Sequence, residues 1–157
     1  MKPDFLLRFF LLVTIAVVAG SAAPKRIAVI ITRLRCEMMM EPNNVDVLQP
    51  RLSWVIESKE RNLQQISYQI MVATSKEKLE EGKADLWNSG KVNSSQSVNV
   101  VYAGKPLTSR TTCFWKVKTW TNKGESEWSY KDYWSMGLLN PTDWKGKWIG
   151  LDRAFSW

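Results

Sequence analysis

The sequence is built from short segments in which apolar and polar residues alternate, and each segment is followed by residues that favour turns. The longest segment covers residues 111–121 and runs into Asn122-Lys123-Gly124, a hairpin turn signal. A period of two places successive side chains on opposite faces of a strand, so this pattern predicts a half-buried strand. The inward set is Cys113, Trp115, Val117 and Thr119, and the outward set is Phe114, Lys116, Lys118 and Trp120.

Similar alternation marks further strands in the chain. They are predicted at residues 33–39, 51–58, 65–73, 96–102 and 127–136. Six or seven short strands in about 100 residues are typical of an all-β sandwich of the immunoglobulin or fibronectin type III kind. We therefore expect residues 33–139 to form one such domain.

Two details of this prediction can be checked residue by residue. In the third strand the inward side chains should be Ile66, Tyr68, Ile70 and Val72, and the outward ones Ser67, Gln69 and Met71. In the strand predicted over residues 96–102 the inward side chains should be Val98 and Val100.

One short helix is predicted over residues 76–81, because Thr74 and Glu77 have the spacing of a capping box and Gly82 can end a helix.

The two ends of the chain lack the alternating strand pattern of the middle. Residues 1–23 combine a basic start, an apolar run over residues 9–19 and small residues after it, which predicts a secretory signal peptide. The alternative is a membrane anchor, but spanning a bilayer needs about 20 apolar residues, so no transmembrane segment is expected once the signal is removed. Residues 140–157 are expected to be a linker and the start of a second domain that is cut short.

Composition excludes several kinds of chemistry. The chain has no histidine, which removes Ser-His-Asp and Cys-His nucleophile systems, and no catalytic, cofactor-binding or metal-binding residues are assigned. The net charge of +7 is spread along the chain, so nucleic acid is not expected as a partner. The acidic residues are interpreted as solvated surface charge; they include Glu57, Glu60, Glu77, Glu80, Glu81, Asp85, Glu125, Glu127, Asp132 and Asp143.

The only cysteines of the sequence, Cys36 and Cys113, allow two interpretations. In an oxidising compartment they could form a disulfide. They could equally be two small, buried, apolar side chains.

Nine tryptophans are an unusual number for a chain of this length. Trp54 and Trp115 fall on inward faces and are predicted to lie in the core. Trp120 and Trp128 lie on the same side as Lys116 and Lys118, so a structural cation–π stack is expected there. The SEWS run at residues 126–129 resembles half of the WSxWS element of cytokine-receptor fibronectin domains.

Three tryptophans near the end of the predicted sandwich have another interpretation. Trp134, Trp144 and Trp148 lie close to the boundary with the expected second domain. Since aromatic residues are enriched in interface cores, we predict an interdomain contact for them. The alternative is a sugar-binding site, because exposed aromatic rings also serve as stacking platforms for sugars.

Several motifs taken together resemble one family of enzymes. They are RCEMMMEPNNVDVLQPRLSW (35–54), YQIMVATS (68–75), ADLWNSGKV (84–92), GKPLTSRTTCFWKVKTW (104–120) and WSMGLLNPTDWKGKWIG (134–150). Their order and spacing resemble the N-terminal region of bacterial α-L-rhamnosidases of glycoside hydrolase family 78. In that family the region is a fibronectin type III-like sandwich that precedes a second sandwich and a catalytic (α/α)6 barrel. Cys113 is a departure, because it occupies the position of the usual corner tyrosine, six residues after Leu107.

The resemblance implies a non-catalytic accessory module of an exported enzyme that hydrolyses terminal α-L-rhamnosides in its barrel. Its partners would be the following domains, with rhamnose-containing glycans as candidate ligands. Two alternatives stay open: a free-standing secreted carbohydrate-binding module and a cell-surface interaction module with a protein partner. In each case the compartment would be periplasmic, cell-surface or extracellular in a bacterium.

Overall fold

The computed structural model describes residues 29–147. The signal peptide predicted at residues 1–23, the predicted contact residue Trp148 and the rest of residues 148–157 lie outside the described residues. No helix in the described part is long and apolar enough to cross a membrane.

Two antiparallel sheets form the domain, as the alternating pattern predicted. One sheet has the strand order β1-β2-β6, and the other has β4-β3-β7-β8, with β5 also paired to β3 and β9 to β7. The strands are β1 (Ile30–Cys36), β2 (Arg51–Glu57), β3 (Gln65–Ala73), β4 (Trp87–Asn88), β5 (Val92–Asn93), β6 (Val100–Val101), β7 (Thr112–Thr121), β8 (Gly124–Glu125) and β9 (Asp132–Ser135).

The core lies between the two sheets and is filled by the inward faces of β2, β3 and β7. Along β7 the buried set is the predicted one, because every second residue from Cys113 to Thr119 is buried. Trp54 of β2 is also buried and meets Tyr68 of β3 edge to face, with ring centroids 5.3 Å apart. The prediction that Trp54 and Trp115 belong to the core is confirmed.

The segment between β1 and β2 closes one open edge of the sandwich. Val45 pairs in parallel with Met136, directly after β9. Its amide donates to the Ser135 carbonyl at 2.9 Å, and its own carbonyl accepts from the Gly137 amide at 2.8 Å. These bonds satisfy backbone groups that would otherwise be unpaired on an exposed sheet edge.

The predicted first strand differs in its bounds. It was expected at residues 33–39, but β1 ends at Cys36, because Glu37 and Met38 form a two-residue turn in which both φ angles are positive, at 49° and 63°. The Glu37 carboxylate stabilises this turn by accepting from the Arg51 amide and from Arg51 Nη2, each at 2.6 Å. The hydrogen bond from the Arg51 side chain is also the largest cause of the lowered pKa of Glu37.

The helix predicted over residues 76–81 is wrong, because that stretch consists of turns. Thr74 does not cap a helix there: its amide and hydroxyl both donate to the Asp85 carboxylate, at 2.8 and 2.7 Å, and Lys78 Nζ joins at 2.6 Å. Burial of Leu79 fixes the turn against the sheet. Among the described residues, helical structure is confined to a 3₁₀ turn at Pro141–Asp143.

Two inward assignments are also wrong. Ile66 is 52% exposed, whereas Ser67 and Met71, both predicted to face outward, are buried, with 1% and 0% exposure. Met71 packs with Ala73, Leu79 and the partly buried rings of Phe114 and Trp128 in a second, smaller core outside the sandwich. Val98 is exposed as well, since the strand predicted over residues 96–102 is limited to Val100–Val101.

Candidate functional site

Cationic and aromatic side chains lie together on the outward face of β7 and beside it. They are here called the β7 ladder and are Phe114, Lys116, Lys118 and Trp120 of β7 and Trp128 of the segment between β8 and β9. Lys116 Nζ lies 4.5 Å from the centroid of the Trp128 ring. Lys118 Nζ lies 5.2 Å from the Trp120 ring. Lys91 approaches the same ring at 4.5 Å, a contact that the sequence did not predict because β5 and β7 are separated by β3.

Serine side chains hold the chain after β8 against β7 and thereby position Trp128. The amides of Thr119 and Val117 donate to the hydroxyls of Ser126 and Ser129, at 2.9 and 3.0 Å. The amides of these two serines donate in return to the carbonyls of Thr119 and Val117, at 2.9 and 2.8 Å. The serine hydroxyls of the SEWS run therefore pair with the backbone of β7 much as a neighbouring strand would. This pairing places the Trp128 ring beside Lys116 Nζ.

The lysines of the β7 ladder interact with nearby charged groups as well as with the aromatic rings. Lys118 also pairs with Glu125 at 3.2 Å, and its hydrogen bond lowers the pKa of that carboxyl. Burial, followed by the nearby charge of Lys131, lowers the pKa of Lys116. Each lysine over a partly exposed ring contributes about 0.5–1 kcal/mol. The rings of Trp120 and Trp128 are half-buried, and each has at least one lysine ammonium group 4.5–5.2 Å from its centroid.

The three tryptophans predicted for an interdomain contact are not equivalent. Trp134 has 0% exposure and lies in the core, edge to face with Trp115 and Tyr102. A side chain without accessible surface cannot contact a second domain, so the prediction for Trp134 is wrong. Trp144 is 57% exposed and directly follows the 3₁₀ turn, and its interdomain role stays a prediction. Trp148 lies outside the described residues.

A groove beside the end of the sandwich was not predicted. It has two adjoining parts of about 320 and 430 Å³, and Leu48 and Leu107 line both. The first part is completed by Gln49, Tyr102, Gly104, Lys105 and Pro106, and the second by Thr108, Ser109, Leu139, Asn140 and Asp143. The sequence signal was Leu48, an apolar residue in a segment without a strand pattern, and it is 64% exposed.

The C-terminal rim of the groove is fixed by hydrogen bonds. The Asp143 carboxylate accepts from the Ser109 hydroxyl and from the Asn140 amide. The hydrogen bond from Ser109 is the largest cause of the lowered pKa of Asp143. The Leu139 amide donates to Ser109 Oγ at 2.8 Å, so the chain leaves the sandwich in a defined direction.

One acidic residue departs from the predicted surface location. Asp132 is only 4% exposed, because it lies on the inward face of β9 and pairs in register with Trp115. Its carboxylate accepts from the Tyr133 amide at 2.8 Å, and burial raises its pKa. Within residues 29–147, no group of cysteine, aspartate and glutamate side chains is placed to hold a metal ion.

Both cysteines are free thiols, so the second interpretation is the correct one. Cys36 and Cys113 lie in the core with almost no exposed surface. Burial raises the pKa of Cys113 to about 12. Cys113 occupies the position of the usual corner tyrosine and has no phenol to donate the corner hydrogen bond. A different tyrosine makes a hydrogen bond to the backbone close by, since Tyr102 Oη donates to the Lys105 carbonyl at 2.8 Å.

Together, the strand order and the packed core define an immunoglobulin-like β-sandwich. The family of Rha78A-like N-terminal immunoglobulin domains matches residues 31–140. The chain belongs to this family.

Relatives and solved structures agree with that assignment. The chain is 44% identical over 112 residues to an α-L-rhamnosidase of Formosa agariphila, and 42% identical over 120 residues to one of Streptomyces avermitilis. These matches cover 70% and 76% of the chain but only 12% of each enzyme.

Two solved structures show the same sandwich. The structure of Streptomyces avermitilis α-L-rhamnosidase complexed with L-rhamnose matches 78% of the chain with a TM-score of 0.74 and 41% identity, and the match covers 12% of that enzyme. α-L-Rhamnosidase from Dictyoglumus thermophilum matches 76% with a TM-score of 0.72 and 37% identity, covering 14% of that enzyme. The chain therefore corresponds to the N-terminal, non-catalytic domain of such enzymes.

Proposed function

We propose that this chain serves as the N-terminal accessory module of an exported bacterial α-L-rhamnosidase, in which the remaining domains hydrolyse terminal α-L-rhamnosides. The observation that carries the proposal is the match itself. It covers residues 31–140, yet the matches to the relatives span about 12% of each of them. The module would stabilise and position the parts of the enzyme that follow it.

The acids of the described domain support a role outside catalysis. Hydrolysis of a glycoside by the usual mechanisms needs two carboxyl groups that flank one bond, about 5–9.5 Å apart. Here Glu37 is held by Arg51, Asp85 by Lys78 and Glu125 by Lys118. Asp132 is buried inside the sandwich and out of reach of a substrate.

Export is supported by the signal-like pattern of residues 1–23 and by the bacterial relatives. Expression of the full chain in a bacterial host tests this part. Intact-mass measurement of the exported protein should show removal of about the first 23 residues, as signal peptidase requires. Retention of the uncleaved chain in the cytoplasm would contradict export.

A free-standing module that binds rhamnose-containing glycans is the competing function. It would need an accessible aromatic platform, and the two tryptophans of the β7 ladder carry lysine ammonium groups instead. Calorimetric titration of the 157-residue chain with L-rhamnose separates the two functions. Saturable binding that Trp120→Ala abolishes would favour the glycan-binding module, whereas the accessory role predicts no heat of binding at millimolar sugar.

A chimeric enzyme tests the accessory role directly. Residues 29–147, the described part of the chain, would replace the matching N-terminal domain of the Streptomyces avermitilis α-L-rhamnosidase. The chimera should fold and hydrolyse an aryl α-L-rhamnoside, and the 157-residue chain alone should not. An enzyme lacking the domain altogether should have a lower thermal midpoint than the chimera. If the chimera gained nothing over that enzyme, the accessory role would be refuted.

A further inference from the structure

The two ends of the sandwich differ in surface chemistry. The end opposite the C-terminal exit, here called the polar end, is held by polar contacts, although single apolar side chains such as Ile66 are exposed near it. There the Gln64 amide donates to Asn122 Oδ1 at 3.0 Å, and Lys123 lies 3.8 Å from Glu60. The other end, here called the exit end, is where β1 finishes, β2 and β7 begin, and the chain leaves after β9. It exposes the apolar side chains Met38, Met39, Met40, Val47 and Leu48.

The groove described above lies at this exit end. Apolar side chains from three different segments line it, with Leu48 and Leu107 between its two parts and Leu139 beside the exit. Polar groups of Ser109, Asn140 and the Asp143 carboxylate surround the second part. An apolar centre within a polar rim is the usual anatomy of a protein interface.

We propose that the exit end is the docking surface for the domain that directly follows this one in the parent enzyme, and that the groove receives an apolar side chain of that domain. This proposal rests on the accessory role proposed above. It adds the surface through which the module acts and the chemistry of the partner: an apolar projection flanked by groups that donate hydrogen bonds to Asp143 and Asn140.

The path of the chain supports this occupant over a second copy of the module. The matched region is an N-terminal domain, so most of each relative follows it. The hydrogen bond between Leu139 and Ser109, and the 3.2 Å bond from Arg110 to the Asp143 carbonyl, hold residues 139–143 against the rim of the groove. A domain joined to the chain after this segment is covalently linked close to the apolar surface, which gives it a high effective concentration there.

The chimera with the Streptomyces avermitilis enzyme provides the test. Leu48→Asp places a charge in the groove, Leu48→Met keeps an apolar side chain there, and Ile66→Asp changes a similarly exposed residue near the polar end. The probe is peroxide oxidation of Met38, Met39 and Met40, measured by mass spectrometry in the chimera and in the 157-residue chain. Size-exclusion chromatography of that chain detects self-association.

Docking should slow oxidation of the three methionines in the chimera. Leu48→Asp should restore the rate of the isolated chain, because losing the burial of one leucine weakens docking by about ten- to a hundredfold. Leu48→Met and Ile66→Asp should keep the protection. All three variants of the isolated chain should keep its thermal midpoint within about 2 °C, since these side chains are exposed.

Each contrary outcome overturns the proposal. Equal oxidation in the chimera and the isolated chain, or protection that Leu48→Asp leaves intact, would place the interface elsewhere. A loss of stability of the isolated chain on Leu48→Asp would make Leu48 a folding residue, and protected dimers of that chain would make a second copy the occupant. In these cases an active chimera would still support the accessory role, whereas an inactive, unfolded chimera would refute both.

Discussion

Trp134 gives the most direct test of how the sandwich is packed. Its side chain has no exposed surface, and its ring lies 6.2 Å from Tyr102 and 6.5 Å from Trp115, edge to face with both. Replacing a buried tryptophan by alanine costs about 3–5 kcal/mol, because the transfer free energy is lost and a cavity remains. The two ring contacts account for about 0.5–1.5 kcal/mol each of this loss, so the free energy of unfolding should fall by about 3–5 kcal/mol. Domains of this size have about 5–15 kcal/mol in total, so Trp134→Ala should be close to unfolding.

Urea denaturation of the 157-residue chain, followed by far-ultraviolet circular dichroism, measures this loss. Fluorescence is less suited, because nine tryptophans contribute to it. Trp144→Ala is the matched control, since Trp144 is 57% exposed, and it should lower the free energy of unfolding by much less than Trp134→Ala, by about 1 kcal/mol or less. If Trp134→Ala cost under about 1 kcal/mol with an unchanged dependence on urea, the packing described for the core would be refuted.

Three further predictions concern charges and thiols. Asp132→Asn should raise the thermal midpoint at pH 7, because burial raises the pKa of Asp132 and its ionised form opposes folding; the gain should vanish below about pH 4, where the unfolded carboxyl is also protonated, and an equal gain at pH 3 would contradict this cause. Lys116→Met should lower the free energy of unfolding by about 0.5–1 kcal/mol, and a double-mutant cycle with Trp128→Leu should show coupling; additive losses would argue against the cation–π contact. Cys36 and Cys113 should react with an aromatic disulfide reagent only after denaturation, and rapid reaction of the native chain would show that they are accessible.

The confirmed predictions rest on the alternation of side chains along a β-strand, which has a period of two residues. Along β7 the alternation from Cys113 to Thr119 placed each side chain on its observed face, because one face of this strand meets the core and the other the surface. The same regularity in β2 placed Leu52 and Trp54 inside. The β7 ladder could be anticipated for the same reason, since lysines and tryptophans on one face of a strand must be neighbours.

The errors arose where tertiary contacts overrode a local pattern. Met71 looked exposed by alternation, but Leu79 and Trp128 cover the outer face of β3 and bury it. Residues 74–81 had the composition of a helix, yet Asp85 takes both donor groups of Thr74. Trp134 was assigned from its position near the domain boundary, which carries no information about the direction of a side chain.

The groove escaped prediction for a related reason. It is made by Leu48, Leu107 and Leu139, which are far apart in the sequence and belong to no common strand. Their proximity depends on how the two sheets meet at the exit end. A pattern within one segment cannot report that arrangement, whereas it can report which face of a strand is apolar.

The parallel pairing of Val45 with Met136 has a consequence for how the domain forms during synthesis. The hydrogen bonds in this region join residues about ninety positions apart, such as Asn44 and Ser135. Early residues therefore have to wait for the last strand before the edge can close, and contacts of such long range slow folding. On the ribosome the sandwich cannot be completed until residues after 137 have emerged, so the segment around Val45 stays unpaired at this edge, and open to chaperones or an export machinery, for most of the domain's synthesis.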